Sequence, residues 1–133
     1  MKKRGILNAN LSRIIASMGH TDKLVICDSG LPIPKNSEVI DLALTNNIPR
    51  FLDTLKIILE ELYIEEAIIA SEMLDGKDGL FENTTKMLNG AKLKKVKHEK
   101  FKELTKEKGN ITFVRTGETT PYANIILISG VTF

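Results

Sequence analysis

A set of short apolar runs, placed between stretches of helical periodicity, sets the narrowest limit on the fold. Leu24-Val25-Ile26-Cys27 is too short for a helix and is bounded by Asp22-Lys23 and by Asp28-Ser29-Gly30, as a buried strand is. Ala67-Ile68-Ile69-Ala70 repeats the pattern, and Ile125 to Val131 supplies a third run near the end of the chain. Leu11, Ile14, Ile15 and Met18 fall at helical spacing, with Asn8 or Asn10 as N-cap and Gly19 as stop. Pro49 introduces a second helix with Phe51, Leu52, Leu55, Ile58, Leu59 and Leu62 on one face. Further strands are expected over Ile40 to Leu44, Leu93 to Val96 and Ile111 to Val114. A weak helix runs through Phe81, Met87 and Leu88, and a short one carries Phe101 and Leu104. Strands alternating with helices imply an α/β fold, a single layered α/β/α domain over residues 1–133 with a central mixed sheet.

Charge and cysteine usage narrow the function. Nineteen Lys and Arg against seventeen Asp and Glu leave a net charge of +2, so no global field steers the chain toward nucleic acid. The stretch Lys92 to Lys108 is basic, but Glu99, Glu103 and Glu107 interrupt it and Phe101 is its one aromatic; it reads as a solvated helix face. No segment approaches the ~20 apolar residues of a membrane span. Asn8, Asn10, Ser12 and Arg13 break the apolar stretch that a signal peptide starting Met1-Lys2-Lys3-Arg4 requires, so a cytoplasmic protein is expected, with neither membrane nor nucleic acid as partner. The single cysteine, Cys27, excludes an intramolecular disulfide and reads as a small core residue. The apolar ending on Phe133 implies a buried C-terminus, covered by another subunit.

Two histidines and no tryptophan leave few groups for chemistry. His20 lies in Gly19-His20-Thr21-Asp22, before the first strand, and Asp28 follows that strand in Asp28-Ser29-Gly30-Leu31-Pro32-Ile33-Pro34. The strand separates them by ~15 to 20 Å at ~3.3 Å per residue. Either one of them stands outside a shared site or a second copy of the chain brings its His20 to this Asp28, and the second option is favoured. The plainer readings are a helix-terminal imidazole for His20, a turn-forming Asp28 beside Gly30, and an Asp22 that shapes a turn or orients His20. The two prolines stiffen Leu31 to Pro34 into a wall. His98 is either an inert residue just before a helix or a ligand-facing group. In the loop Gly117 to Asn124, Tyr122 offers a flat face with a hydroxyl, and Asn124 offers donor and acceptor together, a pairing suited to sugar hydroxyls or simply to a turn. Phosphate-loop, dinucleotide, zinc and nucleophile-elbow motifs are all missing, so neither cofactor nor metal is expected.

The segments Gly5-Ile6-Leu7-Asn8, Gly19-His20-Thr21-Asp22, Asp28 to Pro34, Arg115-Thr116-Gly117-Glu118, Pro121-Tyr122-Ala123-Asn124 and Gly130-Val131-Thr132-Phe133, in this order, resemble the ribose pyranase and fucose mutarotase family. The loop Ser29 to Pro34 is similar to that of the ribose branch; Leu74 to Ala91 departs most. The resemblance implies an isomerase that interconverts the β-pyranose and β-furanose forms of D-ribose and supplies furanose to ribokinase. An L-fucose mutarotase, or a non-catalytic sugar-binding accessory of ribose transport, is the alternative. It implies His20 as general acid, with Asp28, His98, Tyr122, Ala123 and Asn124 binding the sugar. It also implies a ring-shaped homo-oligomer, a decamer of two pentamers, with sites between subunits.

Overall fold

A computed structural model describes all of residues 1–133. In chain order the elements are α1 (Ala9–Ser17), β1 (Lys23–Cys27), β2 (Glu38–Asp41), α2 (Phe51–Leu59), β3 (Ile64–Ala70), a 3₁₀ turn (Ser71–Asp75), α3 (Leu80–Met87), β4 (Lys92–Val96), α4 (His98–Leu104), β5 (Ile111–Arg115) and β6 (Ile125–Ser129). The strands form one sheet in the order β2-β5-β1-β6-β3-β4. Only β6 runs against its neighbours; β1, β2 and β5 are mutually parallel, as are β3 and β4. The carboxyl ends of β1 to β5 and the entry to β6 therefore share one edge of the sheet, the edge on which open α/β sheets place their ligands.

Residues of the central strands alternate between two cores. Leu24 and Ile26 of β1 face a larger core with Leu11 and Ile14 of α1, Phe51 and Leu55 of α2 and Leu80 of α3. Val25 and Cys27 face a smaller one built on Phe101 and Leu104 of α4. Three helices cover one face and one covers the other, which makes the α/β/α layering expected from the sequence. Asn8 is the N-cap of α1, its side-chain oxygen accepting from Leu11 N–H at 2.9 Å.

Several sequence expectations are displaced. The second strand is Glu38–Asp41, not Ile40 to Leu44. Asp41 ends it: its carboxylate accepts from Ala43 N–H at 3.0 Å and pairs with Arg115, which turns the chain outward and leaves Leu44 81% exposed. The second helix stops at Leu59, so Leu62 is buried from a turn rather than from the helix. The basic stretch is only partly helical. Lys92, Lys94 and Lys95 stand on the edge strand β4, where charge discourages edge-to-edge pairing, and on α4 Lys100 and Lys102 pair with Glu103 and Glu99. On the single chain Phe133 is 102% exposed, so its own fold does not cover the C-terminus; the expectation of cover by another subunit stands apart from these displacements. No helix is long and apolar enough to cross a membrane.

Candidate active site

A cleft of about 420 Å³ opens at the carboxyl edge of the sheet, lined by Asp28, Leu31, Pro32, His98, Glu118 and Tyr122 among others. Four connections meet there: β1 delivers Asp28, β4 delivers His98 as the first residue of α4, β5 leads to Glu118, and the chain entering β6 carries Tyr122 and Asn124. Leu31 and Pro32 form one wall, so the first half of the segment Leu31 to Pro34 takes the place its prolines imply.

Asp28 is held by an interlocked pair. Its backbone N–H donates to Asn124 Oδ1 at 2.8 Å, and Asn124 Nδ2 donates to Asp28 Oδ2 at 3.1 Å. An amide donor and a carboxylate acceptor on Asp28 permit only one orientation of the Asn124 carboxamide. Asp28 Oδ1 accepts from Gly30 N–H at 2.9 Å, the turn expected beside that glycine, so the carboxylate is fixed at both oxygens. Asn124 is itself 0% exposed and acts from behind the cleft. Ala123 is fully buried too, its methyl group in the larger core, so only its backbone is available to a ligand.

Tyr122 adopts φ +65°, a left-handed conformation that costs a bulky residue about 1 to 3 kcal/mol and that tends to persist at functional sites. Its ring meets His98 edge to face, with centroids 5.1 Å apart, and His98 stacks on Phe101 at 6.3 Å. The backbone N–H of His98 donates to both oxygens of Glu72, at 3.0 and 3.1 Å, so a residue of the 3₁₀ turn anchors the start of α4. His98 Nδ1 is buried without a partner. A buried lone pair is cheaper to leave unmatched than a buried N–H, so the neutral ring carries its proton on Nε2.

Glu118 is the residue that sequence reasoning passed over. It is 3% exposed and receives Arg50 Nη2 at 2.9 Å, Phe51 N–H at 3.1 Å and Thr120 N–H at 3.3 Å. Burial works to raise its pKa, but the Arg50 guanidinium and the two backbone amides outweigh it and hold the carboxyl at about 2. Its carbonyl accepts from Ser29 N–H at 3.0 Å, so one residue ties the loop after β1, the loop after β5 and the start of α2 together. The sequence signals were an acid between Gly117 and a Thr-rich turn and its place in the segment Arg115 to Glu118 that carries the family resemblance, neither of which shows what it binds. Gly117 is fixed by contact, since a Cβ there would overlap the backbone of Thr45 and Ile48.

His20 is not in this cleft. It precedes β1, at the opposite edge of the sheet, where Thr21 N–H donates to Ser129 O at 2.9 Å. It does not cap α1, which ends at Ser17; its Nε2 lies 3.0 Å from Glu65 Oε2 instead. Asp22 shapes the turn by accepting from Gly19 N–H at 2.8 Å and makes no bond to His20. Asp28, His98 and Tyr122 therefore share a cleft within one chain, Asn124 supports it, and His20 lies apart. Cys27, buried behind the site, has its thiol pushed up to about 12, chiefly by burial and then by Asp28.

Comparison with known proteins gives this arrangement its relatives. A sequence model of the RbsD / FucU transport protein family matches residues 1–132. The chain is 57% identical to a D-ribose pyranase of Coprothermobacter proteolyticus and 52% identical to one of Clostridium tetani, each over 133 residues and the full length of both chains. Among solved structures, RbsD of Bacillus subtilis complexed with D-ribose superposes with TM-score 0.92 at 42% identity, covering all of both chains. A fucose mutarotase of Streptococcus pneumoniae in complex with L-fucose gives 0.77 at 25% identity, over 96% of this chain and 95% of that one.

Proposed function

The chain belongs to the RbsD / FucU transport protein family, and we propose that it is a D-ribose pyranase, an isomerase that interconverts the β-pyranose and β-furanose forms of D-ribose and so supplies furanose to a ribokinase in the cytoplasm. The observation that carries this reading is the end-to-end likeness to proteins named D-ribose pyranase, in a chain whose cleft presents a carboxylate, an imidazole and a phenol to a small polyol.

The chemistry suits so few groups. Ring opening protonates the ring oxygen while the anomeric hydroxyl gives up its proton, yielding the open aldehyde. A different hydroxyl then attacks after bond rotation, giving its own proton to the spent acid, while the aldehyde oxygen takes back the anomeric proton from the base; the proton placed on the old ring oxygen stays there as a hydroxyl. This is acid–base chemistry alone, and a positioned imidazole typically contributes about 10²- to 10⁴-fold. In the proposed mechanism His20 protonates the ring oxygen and Asp28, locked by Asn124 and Gly30, takes the anomeric proton. His98 donates through Nε2–H, Tyr122 presents its ring and hydroxyl, and the backbone of Ala123 completes the sugar subsite.

The position of His20 calls for a second copy. One protomer presents the cleft at the carboxyl edge while its own His20 lies at the other edge, so an active site forms when a neighbouring copy places its His20 over the cleft. A ring-shaped homo-oligomer, a decamer of two pentamers, repeats that contact around a closed symmetry.

The test is NMR exchange spectroscopy on D-ribose, with L-fucose beside it. Micromolar protein should speed pyranose–furanose exchange of ribose more than that of fucose, and His20→Ala should remove most of the effect while remaining assembled. Ribose-dependent thermal stabilisation without faster exchange would make the protein a binding accessory and refute the enzyme reading.

A further inference from the structure

An acid supplied by one copy to a cleft on another works best if it reaches that cleft already oriented. Its own chain can supply that orientation. The backbone around His20 is well fixed: Thr21, at φ +69°, donates to Ser129 O at 2.9 Å, and Ser129 N–H donates to Asp22 O at 2.9 Å. The imidazole is different. Its side chain is 52% exposed, and the one hydrogen-bonding group on it is Glu65, Oε2 to Nε2 at 3.0 Å.

Glu65 reaches His20 by an irregularity of the sheet. The register of β3 on β6 pairs Ile64 with Ser129 but Glu66 with Ile128, so Glu65 is the extra residue of a bulge. Bulges bend a strand and re-aim a side chain, and they gather beside active sites. The chain just past the opposing strand makes room for it with Gly130, where a Cβ would come within 2.9 Å of the Tyr63 ring and 3.2 Å of Glu65 Cβ. Two local features thus serve one exposed imidazole–carboxylate contact, and exposed contacts of this kind add little to stability. Orientation is what remains for it to supply.

We propose that Glu65 is a positioning residue for the sugar reaction: its carboxylate holds the His20 imidazole through Nε2–H and leaves Nδ1 to exchange the proton with the sugar. A carboxylate only accepts, so a neutral imidazole facing it carries its proton on Nε2 and keeps its lone pair on Nδ1. Nδ1 of the charged ring gives its proton to the ring oxygen as the ring opens and regains one from the attacking hydroxyl as it closes. Glu65 itself touches no sugar. The proposal rests on His20 being the general acid.

The experiment measures ribose exchange at saturating sugar, ribose affinity and assembly for Glu65→Ala, Glu65→Gln, His20→Ala and the double variant. Glu65→Ala is expected to lose about tenfold to a hundredfold in saturating rate, as misplaced catalytic groups do, with affinity and assembly unchanged. Glu65→Gln, whose amide oxygen still accepts from Nε2–H, should recover to within about threefold of wild type. Removing Glu65 from the His20→Ala protein should cost nothing further, because the two act as a unit. A Glu65→Ala rate within twofold of wild type beside an inactive His20→Ala overturns the positioning role alone. So does a loss carried by ribose affinity or by dissociation, or an added loss in the double variant. Wild-type exchange by His20→Ala removes the acid reading itself and this proposal with it.

Discussion

Replacing Asn124 by Ala removes the group that fixes Asp28, and the cost follows from the two bonds at 2.8 and 3.1 Å. The Asp28 backbone N–H loses its acceptor, worth about 1 to 3 kcal/mol for a donor shut from water, and the carboxylate loses an amide donor worth about 1.5 to 3 kcal/mol. Such terms overlap, so about 2 to 4 kcal/mol is expected in all. At a urea dependence of ~1 to 3 kcal/mol per molar, the unfolding midpoint falls by about 0.7 to 4 M, and by about 1.5 M at the middle of both ranges. Wild type and variant must be compared at one protein concentration, because subunit association enters the measured stability. Asn124→Asp separates shape from charge. It keeps an acceptor for the Asp28 amide but sets a carboxylate oxygen against Asp28 Oδ2, and two carboxylates so close cannot both ionise cheaply. Ribose affinity of Asn124→Asp, measured by calorimetry, should be weak at pH 8 and recover in part near pH 5, where a shared proton relieves the repulsion. Wild-type stability and ribose affinity for Asn124→Asp at pH 8 would refute the argument that this pair positions the Asp28 carboxylate.

Glu118→Gln should cost about 1 to 3 kcal/mol at pH 7 through weakened bonds to Arg50 and Phe51. Because the folded carboxyl is held at about 2, below its ordinary 4.5, its stabilisation is complete above pH 4.5 and is lost as pH falls toward 2. Thermal melting of the two proteins should therefore differ at neutral pH and converge in acid. The Cys27 thiol, raised to about 12, should not react with a thiol reagent at pH 8 in the folded protein and should react fully in denaturant.

Much of the fold was legible because short buried strands announce themselves. Leu24 to Cys27 and Ala67 to Ala70 are apolar on both faces, and only a sheet covered on both sides accepts such runs. The end of β2 was not legible, since it depends on Asp41 meeting Arg115 and the Ala43 amide, contacts set by tertiary packing. The site divides in the same way. Asp28 was readable from its place after a buried strand, and Asn124 from its polar loop, but their mutual hydrogen bonds span the chain. Glu118 stands in the sequence only as one acid of a polar loop; its burial depends on Arg50 and Phe51, brought to it by the turn before α2. Glu65 was hidden because a bulge is a property of two paired strands, and nothing in the run Ile64-Glu65-Glu66 shows which glutamate will be re-aimed. The separation of His20 from Asp28 was legible from the length of one strand, and the fold keeps them at opposite edges of the sheet.

That separation underlies the central claim, a ribose ring-exchange site shared between two copies of the chain. Mixing tests it most directly. His20→Ala and Asp28→Asn proteins, each inactive alone, are unfolded together in equal amounts, refolded into mixed assemblies and assayed for ribose exchange by NMR. A shared site predicts that activity returns to roughly a quarter of the wild-type rate, because that fraction of randomly formed contacts joins an intact His20 to an intact cleft. Mixed assemblies as inactive as the parent variants would contradict it and place both residues of each working site in a single chain.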